Sequence, residues 1–272
     1  MDQETVSLMV SQRLHFDIYG YVLLKNVLTP DEIEQIKSAL HRADKDPDLD
    51  TNSRVYVRRN GDHYVLLGNL VEYDSALLKY AVHPKLVPLV EEVVGGKVRL
   101  EETEAIINSR DPDTDLQELE KRCYNPIGFH CGTQGWGTYI EQNKFHCLLV
   151  KTLAYLTNVG PDDGGTAFIP GSHRLTWDRS EMIEAAMSDD SLVCQVEAEA
   201  GDVLLFPESL IHSTTAIKSD RERTILIAGY TPTMFQPWPG NEVDPEFVKT
   251  LPDGEVRALI SGSESWGWQR KY

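Results

Sequence analysis

The chain has 272 residues, which is long enough for one large domain with a complete hydrophobic core. Apolar residues make up 41% of the sequence and charged residues 25%, which is typical of a soluble globular protein. The formal net charge of −17 argues against binding to a nucleic acid polymer or to an anionic membrane surface, because both interactions depend on Lys and Arg.

The start of the chain and its cysteines predict a cytoplasmic protein. Residues 1–4 lack the basic and apolar regions of a signal peptide, and no apolar run approaches the length of a membrane span. The four cysteines form neither a CxxC pair nor a dense framework. In a chain of this size we therefore expect free thiols in a reducing compartment.

The first part of the chain is predicted to be largely helical. Residues 16–28 favour a strand that leads into a helix. That helix is predicted over residues 30–43, because Thr29 is a good N-cap and Glu32 completes a capping box. Apolar residues at helical spacing after Pro84 predict a second helix, which a Gly-Gly pair ends.

From about residue 96 onward the pattern changes to short strands bounded by turns. One helix is predicted near residues 179–187. Two N-terminal helices packed on a set of short strands favour a mainly β fold with flanking α-helices, of the double-sheet jelly-roll type. The predicted strands are 98–100, 105–107, 148–156, 166–169, 193–196, 202–206 and 224–230.

We expect one domain over residues 1–272. Within it, N-terminal helices are expected over about residues 1–95 and a catalytic β core over about 96–232. The tail, 233–272, is rich in Pro, Gly and Trp and is expected to wrap around the surface.

Two histidines and an arginine form the candidate site. His130 and His212 each lie at the end of a predicted strand, and facing strands of a jelly roll can bring two such ends together. Neutral imidazole suits Fe(II), and two histidines with one carboxylate form the facial triad of non-haem Fe(II) oxygenases. Two positions after His130, where a carboxylate would be expected, the chain has Gly132.

Arg223 follows His212 by eleven residues and begins the last predicted strand of the core. From there it could hold a carboxylate in bidentate fashion, and Thr214 could donate to the same carboxylate. Lys151 begins another strand. It is interpreted either as a lysine with a buried stem and a solvated head or as a residue near the cosubstrate.

Three segments resemble the phytanoyl-CoA dioxygenase family, whose members are Fe(II)- and 2-oxoglutarate-dependent enzymes on a double-stranded β-helix, a cupin-like jelly roll. The similarity covers roughly residues 15–232, and it implies that His130 and His212 bind Fe(II). It also implies that Arg223 binds 2-oxoglutarate and that O₂ is the oxidant. The segments are GYVLLKNVL at 20–28, GGTAFIPGSH at 164–173 and GDVLLF at 201–206.

The chain departs from the family's His-x-Asp motif, because Gly132 lies where the motif has Asp. Members with Gly or Ala there are aliphatic halogenases, in which chloride occupies the free coordination position and is transferred to the substrate radical instead of hydroxyl. The resemblance therefore implies a halogenase, with Gly132 as the vacant position for chloride. A backbone N–H of Gly132 or Thr133 could help to hold the anion.

Two other interpretations of the glycine stay open. In the first, a carboxylate or an amide from elsewhere completes the metal site and the enzyme is a hydroxylase. In the second, the metal site is lost and the protein is a non-catalytic module that binds 2-oxoglutarate or a small ligand. The side chains considered for the first are Glu102, Glu104, Glu141 and Gln134.

The substrate is predicted to be a free small molecule, because a chain of net charge −17 would repel an acidic carrier domain. Arg54, Arg58 and Arg59 form either a solvated hairpin or a site for an anionic group. The resemblance extends to nucleotide 2′-halogenases of nucleoside antibiotic biosynthesis, which implies a substrate such as 2′-deoxyadenosine monophosphate. Its adenine could stack on Trp136 or Trp177, with the phosphate on the arginines.

Overall fold

The computed structural model describes residues 6–49, 54–133 and 137–264. The helices in these ranges are α1 (Val10–Tyr19), α2 (Pro30–Asp44), α3 (Ser75–Ala81), α4 (Val87–Val94), α5 (Leu116–Leu119), α6 (Arg179–Ser188), α7 (Pro245–Thr250) and α8 (Glu255–Ser261). The strands are β1 (Val22–Leu24), β2 (Tyr56–Asn60), β3 (Tyr64–Gly68), β4 (Val98–Asn108), β5 (Pro126–His130), β6 (Thr138–Glu141), β7 (Lys144–Cys147), β8 (Val150–Tyr155), β9 (Thr166–Phe168), β10 (Cys194–Gln195), β11 (Val203–Pro207), β12 (His212–Thr215) and β13 (Arg223–Pro232).

Two antiparallel sheets pack against each other. The larger sheet has the order β1-β11-β8-β13-β4-β3-β2 and the smaller β10-β9-β12-β5, while β6 and β7 form a separate hairpin. Between the two sheets, the ring of Phe168 from the smaller sheet meets the ring of Phe206 from the larger one at 5.5 Å. The predicted jelly roll with flanking helices is confirmed.

Alternation along β4 separates the two sides of the larger sheet. Ala105 and Ile107 pack in the core beneath the helices, whereas Ile106 packs with the apolar residues between the sheets. Because successive side chains of a strand point to opposite faces, Glu102 and Glu104 share the inner face with Ile106. The inner face of this sheet therefore carries carboxylates.

Several predicted elements are confirmed, and the first strand is corrected. The helix α2 begins at its Thr29 cap, and the last turn of α4 ends at Gly95 in the left-handed conformation, with φ of 91°. Residues 16–28 were expected to begin as a strand, but residues up to Tyr19 belong to α1. Gly20, with φ of 88°, ends that helix and allows the chain to turn into β1.

The first 95 residues contribute more than helices, because β1, β2 and β3 join the larger sheet. The segments 98–100 and 105–107, which were expected to be separate strands, are parts of the continuous β4. The tail adds α7 and α8, and Leu259 and Ile260 of α8 are buried in the core.

The described residues contain no helix that is both long enough and apolar enough to cross a membrane. All four cysteines, Cys123, Cys131, Cys147 and Cys194, are free thiols, as expected from the sequence.

The capping box of α2 yields a test of the fold. The Thr29 side chain accepts a hydrogen bond from the Glu32 N–H, and the Glu32 carboxylate accepts one from the Thr29 N–H at 2.8 Å. Thr29→Ala is expected to lower the free energy of unfolding by about 1 kcal/mol, because it removes the acceptor at the start of the helix. Urea denaturation measures this, with Ser38→Ala in the same helix as the control that should change little. Equal stability of the two variants would contradict the cap.

Candidate active site

The two histidines lie side by side across the β5–β12 pair. His130 and His212 are register partners, and their ring centroids are 4.3 Å apart. The Nδ1 atom of His130 lies 3.0 Å from the Gly128 carbonyl, and that of His212 lies 2.8 Å from the Leu210 carbonyl. A carbonyl only accepts, so each Nδ1 carries the hydrogen and each Nε2 keeps a lone pair. Both imidazoles are thus held in the tautomer that binds a metal through Nε2.

The two rings differ in their surroundings. His130 is exposed, whereas His212 is buried. Burial lowers the pKa of His212 to about 4; the nearby Glu208 carboxylate opposes this shift and His130 adds to it. His212 is therefore a neutral imidazole at pH 7, the form that donates a lone pair to a metal ion.

A buried carboxylate stands beside His212. Glu208 follows the last residue of β11, and its Oε1 lies 3.6 Å from His212 Nε2 and 3.1 Å from Lys151 Nζ. Burial alone would raise the pKa of Glu208, but the charge of Lys151 and the neighbouring histidines outweigh burial and lower it to about 2. Glu208 is consequently charged at neutral pH. Glu208 is not among the site residues predicted from the sequence.

Glu208 also occupies the space next to Gly132. A Cβ built on Gly132 would collide with the Glu208 carboxylate, whose Cδ would lie 3.2 Å from it. The N–H groups of Gly132 and Thr133 both donate to the backbone carbonyl of Glu208, at 2.9 and 3.1 Å. The expectation that one of these N–H groups holds chloride is therefore corrected, since both already have an acceptor.

Lys151 bridges two carboxylates on the inner face of the larger sheet. Its Nζ lies 2.9 Å from Glu102 Oε1 and 3.1 Å from Glu208 Oε1. Between Lys151 and Glu102 in the sheet lies Gly229, where an added Cβ would meet Glu102 Cγ at 2.8 Å. Burial lowers the pKa of Lys151, but the carboxylates raise it by more, so the lysine stays charged.

Arg223 lies in the first position of β13, in register with Asn108, which is itself in register with Tyr64. Its side chain is buried, and its Nε and Nη1 atoms have no hydrogen-bond partner among the described residues. Burial lowers the pKa of Arg223, although nearby tyrosines oppose the shift. A buried guanidinium without a carboxylate is costly, so this cation fits an anionic ligand such as the carboxylate of 2-oxoglutarate.

Thr214 shares the face of His212, because it lies two residues further along β12. Its hydroxyl donates to the Gly164 carbonyl at 3.1 Å. To donate to a cosubstrate as well, Thr214 would have to release this acceptor.

The other carboxylates considered from the sequence lie apart from the imidazoles or have other partners. Glu102 pairs with Lys151, and the Tyr56 hydroxyl donates to Glu104. Glu141 lies exposed on the separate hairpin. Gln134 and Trp136 lie outside the described residues.

Two of the three arginines predicted for the substrate already contact carboxylates. Arg59 pairs with Asp44, and Arg54 Nε lies 3.6 Å from Glu72. Arg58 lies over the ring of Tyr56, at 5.2 Å from its centroid. An anionic substrate group would thus have Arg58 as its readiest partner on this hairpin.

Trp177 is 68% exposed and borders a groove together with Cys131 and Ile211. Cys131 and Ile211 pack in the apolar cluster that includes residues of α6, and each is adjacent in sequence to one of the two histidines. By alternation along the strands, the groove lies on the other side of the smaller sheet from the imidazoles.

No group of three or more His, Cys, Asp and Glu side chains within residues 6–49, 54–133 and 137–264 is already arranged to hold a metal ion. His130, His212 and Glu208 lie close together, but the Glu208 carboxylate is paired with Lys151. The donor types are nevertheless those of a facial triad.

Comparison with known proteins gives one family and several similar folds. Residues 16–225 match the family described as phytanoyl-CoA dioxygenase (PhyH). HygX from Streptomyces hygroscopicus, crystallised with nickel and 2-oxoglutarate, is 22% identical over 85% of this chain and 90% of HygX, with a TM-score of 0.67. The α-ketoglutarate-dependent carbocyclase SnoK from nogalamycin biosynthesis is 17% identical over 92% of this chain and 95% of SnoK, at a TM-score of 0.64. The epimerase SnoN is 20% identical over 86% of this chain and 91% of SnoN, at 0.61.

The buried lysine gives a test of the electrostatics of the site. Lys151→Met leaves Glu102 and Glu208 facing each other without a cation, which is expected to cost about 3 kcal/mol of unfolding free energy at pH 8. The loss should shrink near pH 5, where one carboxyl can take up a proton. Urea denaturation at both pH values measures it.

Lys97→Met is the control for this test, because Lys97 pairs with Glu91 at a partly exposed position. It is expected to cost less than about 1 kcal/mol. If Lys151→Met lowers the free energy of unfolding no more than the control does, Lys151 does not neutralise the two buried carboxylates as proposed.

Proposed function

The chain belongs to the phytanoyl-CoA dioxygenase family of Fe(II)- and 2-oxoglutarate-dependent enzymes, and we propose that it oxidises an aliphatic C–H bond of a free small molecule. The observation that carries the proposal is the pair His130 and His212, in which both Nδ1 atoms are tied to backbone carbonyls and both Nε2 atoms are left with lone pairs. When bound, Fe(II), 2-oxoglutarate and O₂ supply the oxidising power for removing the hydrogen.

Each of the remaining roles follows from the surroundings of a side chain. His130 and His212 would hold the iron through Nε2, and Arg223 would hold the carboxylate of 2-oxoglutarate with its unpaired nitrogens. The neutral state of the buried His212 keeps that ring available as a ligand without the loss of a proton. The exposure of His130 provides an opening through which a substrate can approach.

Oxygen insertion is the outcome that the geometry supports best. A halide at Gly132 would lie against the Glu208 carboxylate, which is charged at neutral pH. Two like charges about 4 Å apart repel by about 4 kcal/mol at an effective dielectric constant of 20. Lys151 relieves part of this repulsion, but it is shared with Glu102. A hydroxylase-type reaction requires no second anion at this place.

Chlorination is the second candidate, and Gly132 is the specific observation that favours it. No side chain at this position fills a coordination site of the iron. A halide would then need Glu208 to turn away or to become neutral. The third interpretation, a binding module without a metal, is disfavoured by the two matched imidazole tautomers, because binding 2-oxoglutarate alone does not require them.

Mass spectrometry of the product distinguishes oxygen insertion from chlorination. The enzyme is incubated with Fe(II), 2-oxoglutarate, O₂ and a candidate substrate, in chloride buffer and in chloride-free buffer. The candidates are 2′-deoxyadenosine monophosphate and hygromycin B, which is bound in a crystal structure of HygX. We expect succinate to form, and any product to gain one oxygen atom in both buffers. A product that gains chlorine only in chloride buffer would establish the second candidate instead. Absence of succinate under all conditions would contradict the enzymatic proposal.

The role of Arg223 is tested by the affinity for 2-oxoglutarate. Arg223→Gln removes a buried charge that is worth about 2 kcal/mol or more to a carboxylate ligand, so the affinity should fall at least about thirtyfold. Calorimetric titration of the nickel-loaded protein with 2-oxoglutarate measures this. Arg221→Gln is the matched control, because Arg221 is largely exposed and pairs with Asp163. Unchanged affinity in Arg223→Gln would mean that the cosubstrate binds elsewhere.

A further inference from the structure

We propose that Glu208 is the third protein ligand of the iron, so that the carboxylate of the facial triad comes from the residue four positions before the distal histidine. The proposal rests on the proposed function, because it assumes that His130 and His212 bind the metal. It is a form of the first sequence-based alternative, a carboxylate from elsewhere in the chain, but with a residue that was not considered there.

Two atoms with lone pairs face each other in the site. His212 Nε2 has a lone pair, because the ring hydrogen is on Nδ1, and Glu208 Oε1 pairs with Lys151 Nζ at 3.1 Å and keeps a further lone pair. Their separation of 3.6 Å is too long for a hydrogen bond. Two electron-rich atoms in a buried place are stabilised by a cation between them. With metal–ligand bonds of about 2.1 Å, one ion can join atoms up to about 4.2 Å apart.

Glu208 also lies in the space next to Gly132. An aspartate at this position would begin at a Cβ that collides with the Glu208 carboxylate, and Glu208 Oε2 is the atom nearest to that Cβ. One oxygen of Glu208 therefore lies in space that the side chain of the family's usual aspartate would occupy. The glycine leaves the space that this glutamate needs.

The backbone fixes Glu208 in this position. Its carbonyl accepts the N–H groups of both Gly132 and Thr133, and its own N–H donates to the Leu149 carbonyl at 2.9 Å. The loop after His130 and the start of the Glu208 side chain thus cannot move independently. A ligand on this anchored backbone is held as firmly as one on the loop itself.

Lys151 acts as a positioning residue for this ligand. Its Nζ contacts Glu208 Oε1, and ligating carboxylates commonly have such an outer partner. When a metal ion takes over part of the charge of Glu208, Lys151 keeps Glu102 as its partner. In the structure the carboxylate lies closer to the lysine than to His212, at 3.1 against 3.6 Å, so binding of a metal ion would draw it toward the imidazole.

Counting ligands connects the proposal to the reaction. Two imidazoles, one Glu208 oxygen and a chelating 2-oxoglutarate would together supply five donor atoms to the metal ion, which would leave no room for a halide beside O₂. Glu208 as a ligand would thus favour the proposed oxygen insertion in a chain whose motif otherwise suggests chlorination.

The test measures metal affinity rather than turnover. Anaerobic calorimetric titration with Ni(II), together with the visible absorption spectrum of the Co(II)-loaded protein, is applied to Glu208→Ala, Glu208→Gln and His212→Ala. Glu91→Gln is the matched control, because this glutamate also pairs with a lysine, Lys97, but lies on α4 and does not pair with Lys151. We expect Glu208→Ala and His212→Ala to weaken Ni(II) binding at least tenfold, and Glu91→Gln to change it by less than threefold.

A swapped variant, in which the carboxylate is moved from position 208 to position 132, tests for a gain of metal binding rather than a loss. Gly132→Asp combined with Glu208→Ala returns the carboxylate to the motif position and removes the collision, so Ni(II) binding and the Co(II) spectrum should recover toward those of the unmodified protein. Gly132→Asp alone should bind Ni(II) more weakly than the swapped variant, because two carboxylates then compete for one space.

The outcomes separate the two proposals. Wild-type Ni(II) affinity in Glu208→Ala with loss in His212→Ala would overturn the ligand role of Glu208 and leave the proposed function standing. Wild-type affinity in both variants would overturn both proposals. Circular dichroism and thermal unfolding without metal verify the fold. If the single Glu208 variants do not fold, the swapped variant decides: Ni(II) binding supports the relocated carboxylate, and its absence overturns it.

Discussion

The pairing of β5 with β12 is the constraint on which the site depends. It sets His130 opposite His212, and the backbone of each strand supplies the carbonyl that accepts from the ring's own Nδ1. Side-chain position and tautomer are thus determined by the same short stretch of backbone. The register of this pair shifts between His212 and Thr214, where the strand leaves regular pairing. Irregularities of this kind commonly lie next to active sites, because they re-aim side chains.

The inner face of the larger sheet carries Glu102, Lys151 and Arg223 among apolar neighbours. Gly229 allows the first two to meet across β13, since a side chain there would lie between them. The lysine is neutralised within the protein, whereas the arginine has no carboxylate partner in the described part of the chain. This difference is why we propose a structural role for the lysine and a ligand-binding role for the arginine.

Features that depend on neighbouring residues could be predicted from the sequence, whereas contacts between residues distant in the chain could not. The capping box of α2 and the glycine that ends α4 depend on residues within one turn, so they were predicted correctly. The strand predicted near residue 16 was wrong, because apolar residues there fit a helix face as well as a strand, and packing decided between them. The pairing of Arg59 with Asp44 joins β2 to α2, and no spacing rule reveals such a contact. The family resemblance predicted roles for the histidines and Arg223 from their separations, and these roles stay proposals.

We interpret Gly132 and Glu208 together: the carboxylate that the motif lacks at position 132 is supplied from position 208. A motif records which residue follows another, whereas a metal requires only that a donor atom lie at bonding distance. Glu208 lies beyond Phe206 on the same face of its strand, so alternation alone directs it inward, but nothing in the spacing from His130 indicates that it meets the loop after that histidine. The Glu208 carboxylate lies next to the position that the motif leaves without a side chain. Under the proposal that Glu208 binds the iron, the glycine provides clearance for this side chain rather than a vacancy for an anion.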